Sequence, residues 1–160
     1  MLRSIRHVLM GAAGVAFVSL ATVTAAEAGG PYSFHSLTPC RVVDTRDPAG
    51  PTAGPALAAN TERSFPILGA CGVPTTAQAV AFNITVTGPT DYGDIRIYPA
   101  GTPMPLASAI NWVASDWAVA NGAIIPLGSS GSDHVSVWVD MPAGSTGTVH
   151  LILDVTGYFE

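Results

Sequence analysis

Apolar and polar residues alternate in short runs along most of this chain, and clusters of turn-forming residues separate the runs. Val80, Phe82, Ile84 and Val86 alternate with Ala81, Asn83, Thr85 and Thr87. Ile95 and Ile97 alternate with Asp94, Arg96 and Tyr98. Val135, Val137 and Val139 alternate with His134, Ser136, Trp138 and Asp140. Val149, Leu151, Leu153 and Val155 alternate with Thr148, His150, Ile152, Asp154 and Thr156. A period of two sends successive side chains to opposite faces, so each run predicts a strand with one buried face. Further strands are expected over 33–37, 40–44, 63–67, 107–112 and 118–127. Segments 88–93, 128–133 and 142–147 are short and rich in Gly, Pro, Ser and Asp. Such loops join antiparallel neighbours. After residue 28 no stretch carries a helical period. Short strands with turns about every ten residues fit a sandwich or a closed barrel. The expected fold is all-β, a mostly antiparallel β-sandwich of roughly nine strands with one disulfide. Segment 47–60, rich in Pro, Gly and Ala, reads as a long surface loop.

The first 28 residues break this pattern. Arg3, Arg6 and His7 are followed by an apolar run from Val8 to Val23 and then by Ala26-Glu27-Ala28. A basic start, an apolar centre and a small-x-small end make a secretory signal peptide. The run is too short and too weakly flanked for a transmembrane helix. The expected working protein is one extracellular domain over 29–160, secreted or held at the cell surface and not inserted in a membrane once the signal is cleaved. Without the signal it keeps four arginines against ten acidic residues and has no lysine. That balance argues against nucleic acid and against anionic lipid surfaces, both of which demand a basic patch.

Cys40 and Cys71 are the only cysteines. In an exported chain they are expected to pair, closing a loop of about 31 residues worth about 3–4 kcal/mol by chain entropy. The competing reading is a catalytic thiol, which needs a neighbouring base.

Several segments resemble one family. They are Leu37-Thr38-Pro39-Cys40-Arg41-Val42-Val43-Asp44-Thr45-Arg46, Cys71-Gly72-Val73-Pro74, Ala79 to Val86, Tyr98-Pro99-Ala100-Gly101, Ile110-Asn111-Trp112 and Leu153-Asp154-Val155-Thr156-Gly157-Tyr158-Phe159. Taken in order, they resemble a secreted bacterial all-β module found especially in actinobacterial and myxobacterial extracellular proteins. The resemblance implies an extracellular β-module that occurs singly or beside other domains. It carries no catalytic residues across.

Few residues offer chemistry. Asp44, Arg46 and Asp154 read either as a carboxylate pair acting across a substrate or as ion pairs and turn caps. Gly157 is expected to take a positive φ or to allow a close approach of chain. His35, His134 and His150 lack short metal-ligand spacing, and the loops carrying Asp91, Asp94 and Asp133 do not match a calcium loop. The sequence therefore points to no metal and no cofactor. Nucleophile-elbow, P-loop and zincin motifs are missing from the sequence. Asn83-Ile84-Thr85 fits a glycosylation sequon, although Asn83 reads better as a bond to a neighbouring strand.

The alternation places Arg96, Tyr98, Trp138 and His150 on polar faces. If their strands are neighbours, the four share one exposed surface, and flat aromatics rimmed by polar groups suit sugar rings. The alternatives are that Trp138 packs beneath a loop such as 47–60, or lies in a subunit contact. Trp112 and Trp117 are expected to anchor loops. The expected function is a non-enzymatic extracellular module that binds cell-envelope or extracellular polysaccharide, or assembles with itself or with surface proteins. The alternative is a secreted hydrolase of polysaccharide or peptidoglycan using Asp44, Asp154 or a histidine.

Overall fold

The structure is a computed structural model that describes residues 30–129 and 131–160. The signal peptide expected over residues 1–28 lies outside the described residues. Nine strands follow one another: β1 (Phe34–Asp44), β2 (Leu57–Ala58), β3 (Glu62–Phe65), β4 (Ala79–Thr87), β5 (Gly93–Pro99), β6 (Ile110–Trp112), β7 (Ala118–Pro126), β8 (Val135–Asp140) and β9 (Thr148–Phe159). They form two sheets. One runs β1-β9-β4-β7, with β2 also paired to β9; the other runs β3-β8-β5-β6. Every strand pairing is antiparallel.

The alternation seen in the sequence sets which faces are inward. Val80, Phe82, Ile84 and Val86 of β4 meet Ile95 and Ile97 of β5, Val135, Val137 and Val139 of β8, and Val149, Leu151, Leu153 and Val155 of β9 in one core. Phe65, Ile84, Ile95, Leu151 and Leu153 are fully buried. Each such side chain contributes about 1.5–3 kcal/mol relative to exposure. β-branched residues dominate these faces because they pack well on a pleated surface.

Two local departures from the expected layout have physical causes. Segments 33–37 and 40–44 are one strand, β1, with register shifts between Ser36 and Cys40 and between Arg41 and Val43. Pro39, which has no N–H to give a ladder, falls in the first shift. Segment 47–60 is not a free loop, because it contains β2, and Leu57 is buried there. It is also tied down by Arg63, whose guanidinium donates to the carbonyls of Gly50 (2.7 Å) and Pro55 (3.0 Å). That guanidinium also lies 4.8 Å from the centroid of the Phe65 ring.

Cys40 and Cys71 form a disulfide that ties β1 to the turn before β4. Gly157 of β9 sits opposite Ser36 of β1 and Ala81 of β4. A side chain there would collide with the Phe34 ring and come within 2.7 Å of the His35 carbonyl. Close approach of chain, not a positive φ, therefore demands glycine at this position. No helix among the described residues is long and apolar enough to cross a membrane.

Candidate functional site

The charged residues near β1 form a closed set. The Asp44 carboxylate, which is buried, accepts from Arg46 Nε (2.8 Å), the second guanidinium nitrogen of Arg46 (2.6 Å), Arg41 (3.2 Å) and the Arg46 backbone N–H (3.1 Å). These bonds, chiefly those from the Arg46 side chain, hold Asp44 down at a pKa of about 2. Arg41 reaches across to Asp154 with two bonds of 2.8 and 3.2 Å, because register places them as direct partners on β1 and β9. Both carboxylates considered for hydrolysis are thus held by guanidinium groups. Pro39, Arg41, Asn83, Asp154 and Thr156 line a shallow groove beside this set. The Asn83 amide bonds within its own strand, to Thr85 Oγ1.

The aromatic face is only partly assembled. Arg96 and Trp138 are direct cross-strand partners on β5 and β8, and Tyr98 lies opposite Ser136. His150 does not join them. It lies on β9 in the other sheet, where its Nδ1 meets Thr45. Sequence alternation assigns a face within a strand but not a sheet within a sandwich, so it could not separate His150 from the rest.

Nor is Tyr98 exposed: its relative accessibility is 3%. Its hydroxyl donates to Glu62 (2.6 Å), which also accepts from Ser136 (3.0 Å). Burial, reinforced by Glu62, pushes the Tyr98 phenol up to about 12. Arg96 is clamped by Asp140 at 2.5 Å and faces Asp94 at 3.5 Å. Burial pushes the Asp94 carboxyl up. Trp138 is half-buried between Arg96 and Glu62, its cross-strand partners. The polar groups that would meet a sugar are bonded to one another.

The other histidines stand apart. His35 stacks on Tyr158 with centroids 4.9 Å apart. His134 accepts the backbone N–H groups of Ile67 (2.8 Å) and Leu68 (3.3 Å) through Nδ1, and burial lowers its pKa. Among the described residues no group of three or more His, Cys, Asp or Glu is placed to hold a metal.

The two tryptophans around the β6–β7 turn behave differently. Trp112 is buried and donates from Nε1 to the Asp91 carbonyl (2.9 Å), anchoring a loop as expected. Trp117 is 89% exposed, against expectation. Its backbone is nevertheless fixed, since its carbonyl accepts from Gly88 N–H (3.2 Å) and Thr87 Oγ1 (2.8 Å). The turn before it is closed by Asp116, whose carboxylate accepts from Val113 N–H at 2.9 Å. The parity of Ile110 and Trp112 sends Trp112 inward. Trp117 falls beyond the turn, where parity no longer applies.

Trp117 leads into β7, which is an edge strand. Its pairing to β4 runs through nine residue pairs without a register shift. Among the described residues no other strand or backbone group bonds to its second edge. β7 contains no charged residue, and Asp116 is the only charge between Arg96 and Asp133. Leu106 (93% exposed), Val113 and Ile124 add exposed apolar side chains from the neighbouring β5–β6 and β6–β7 connections and from β7 itself. The Asn121 amide donates to the Ala109 carbonyl (2.9 Å), tying β7 to the segment that enters β6. This side of the sandwich, unlike the two polar sites above, presents unsatisfied main chain and uncovered apolar groups together. No family model matches the chain and no curated protein matches it, so what it does is read from this geometry.

Proposed function

We propose that this chain is a secreted, non-enzymatic extracellular module that works by association, docking a macromolecular partner, a surface protein or a second copy of itself, along its β6–β7 side. One observation carries the reading: β7 is a nine-residue, uncharged edge strand that, among the described residues, has no partner on its second edge. Sheet edges of this kind are normally blunted by charge, proline, bulges or a covering segment. A strand left bare offers main-chain hydrogen bonds to an added strand, and the flanking Trp117 and Leu106 supply apolar contact. The paired cysteines and the absence of a membrane-spanning helix among the described residues are compatible with an extracellular place of work.

Trp117 favours a second reading, recognition of polysaccharide. An exposed indole carried on a hydrogen-bonded stretch of backbone suits the apolar face of a sugar ring. The hydrolase reading is weaker, because a carboxylate held ionised to a pKa of about 2 is no proton donor near neutral pH.

Co-sedimentation of the purified protein with insoluble cell-envelope material tests the proposal. Binding is expected for the parent and for Trp138→Ala, and is expected to fall in Ala120→Pro and Trp117→Ala. Loss in Trp117→Ala alone, with competition by a soluble polysaccharide, would favour the sugar reading. Loss in Trp138→Ala with retention in both β7-side variants would refute the site.

A further inference from the structure

The free edge of β7 has a symmetry that selects its occupant. Gly88 N–H donates to the Trp117 carbonyl and Leu127 N–H to the Gln78 carbonyl, and the register between them is unbroken. In an antiparallel pair, alternate residues exchange bonds with the neighbour and the others point away. Residues 119, 121, 123 and 125 therefore bond to β4. Ala118, Ala120, Gly122 and Ile124 turn their N–H and C=O groups to the open side. Pro126, with no N–H, ends the usable edge.

Resting on the reading of this side as the docking surface, we propose that its occupant is a second copy of this chain, paired β7 to β7 antiparallel about a two-fold axis at Asn121. That register sets Ala118 of one copy against Ile124 of the other and Ala120 against Gly122. All four free residues of both strands are used, in about eight main-chain hydrogen bonds. An axis at Gly122 would set Ala118 against Pro126, which has no N–H to give, whereas the axis at Asn121 pairs only residues that both donate and accept. The contact is isologous and closes on itself, so it yields a dimer and not a fibre. The larger sheets of the two copies become one sheet of order β1-β9-β4-β7-β7-β4-β9-β1.

Charge favours a like partner on the β6–β7 side, where both edge strands are uncharged, over the β1 and β3 edges. The chain carries a net charge of −5, so copies repel. Segment 97–132 holds one charged residue, Asp116, whose carboxylate is bonded within its own turn. The side chains at the paired positions are Ala, Ala, Gly and Ile, three of them small enough for strands to meet without a clash. The β1 edge instead carries Arg41 and Asp44, and the β3 edge carries Glu62 and Arg63.

The test is light scattering on the purified protein across a wide concentration range, with circular dichroism and melting for each variant. The parent is expected at the mass of two chains. Ala120→Pro removes an N–H that only the dimer uses, and Ala120→Lys sets positive charges near the two-fold axis. Each is expected to weaken dimerisation about 100-fold or more while the monomer melts as before. Asn121→Cys stands opposite itself in this register and should oxidise to a covalent dimer, whereas Val119→Cys, opposite residue 123, should not. A parent that stays monomeric overturns the proposal, as does a dimer that survives both Ala120 variants or cross-links equally at 119. A monomeric parent that still sediments with envelope material, and loses this on Ala120→Pro, overturns self-pairing alone. One that neither dimerises nor sediments overturns the docking surface as well.

Discussion

The larger sheet ends in two strands that could hardly be treated more differently. At one edge, β1 is interrupted by two register shifts, carries Arg41 and Asp44, and is stapled to the turn before β4 by Cys40–Cys71. The backbone at Asp44 is further covered, since its N–H donates to the Thr52 carbonyl at 2.9 Å. At the other edge, β7 is regular, uncharged and bare along its open side among the described residues. Irregularity, charge and covalent cover are the devices that keep an edge from pairing with another chain. Here they are concentrated on β1. The difference teaches that one edge is built for the stability of the monomer and the other is left available for contact.

Substitutions at the two edges should therefore fail in different ways. The largest effect is expected on the β1 side, where Cys40→Ser opens a loop with a sequence separation of 31. Loss of about 3–4 kcal/mol should lower the melting temperature by about 10 °C or more. Equal melting of oxidised and reduced protein would remove the staple from the account.

Next, Gly157→Val forces a side chain against Phe34 and the His35 carbonyl. The resulting overpacking should cost about 1–3 kcal/mol, read as a shift in the denaturation midpoint. An unshifted midpoint would mean that β1 can move aside, and would weaken the contrast between the edges.

Asp44→Asn should cost about 1–2 kcal/mol, discounted because its arginine partners are half exposed. The same group predicts a pH dependence. Its pKa is lowered in the folded state to about 2 from an ordinary 3.8, so its stabilisation is complete above about pH 4. It is lost as the pH falls from there to about 2. Unfolding followed between those limits should show this loss in the parent and a flatter profile in Asp44→Asn.

The smallest effect on folding belongs to the β7 side. Trp117→Ala should change stability by less than about 0.5 kcal/mol, because an indole that is 89% exposed has little burial to lose. Its effect should appear instead in co-sedimentation. A large loss of stability in this variant would mean that the indole supports the monomer, and the comparison would collapse.

Much of the fold was legible because burial on a pleated sheet has a period of two. Val135, Val137 and Val139 declare an inward face wherever β8 ends up, and the core includes all three. The disulfide was legible because the sequence holds two cysteines and reads as that of an exported protein. β2 was not, since two residues are too few for a period, and only their pairing with β9 and the burial of Leu57 in the core reveal them. The aromatic site was legible only in part. Parity put Arg96 and Trp138 on one face correctly, but His150 went to the other sheet and Tyr98 under cover, matters of partner choice that a single strand's pattern does not contain. Trp117 was misread because the turn at Asp116 interrupts the pattern that buries Trp112.

By itself, the sequence determined the class of fold, the inward face of each long strand and the cysteine pair, since these follow from local alternation and from composition. Only the tertiary structure decided which strands became edges, which charges found each other and which tryptophan stayed in water. Those outcomes depend on strand order, and strand order is settled by contacts between residues far apart in the chain, such as Arg41 with Asp154, that no local pattern records.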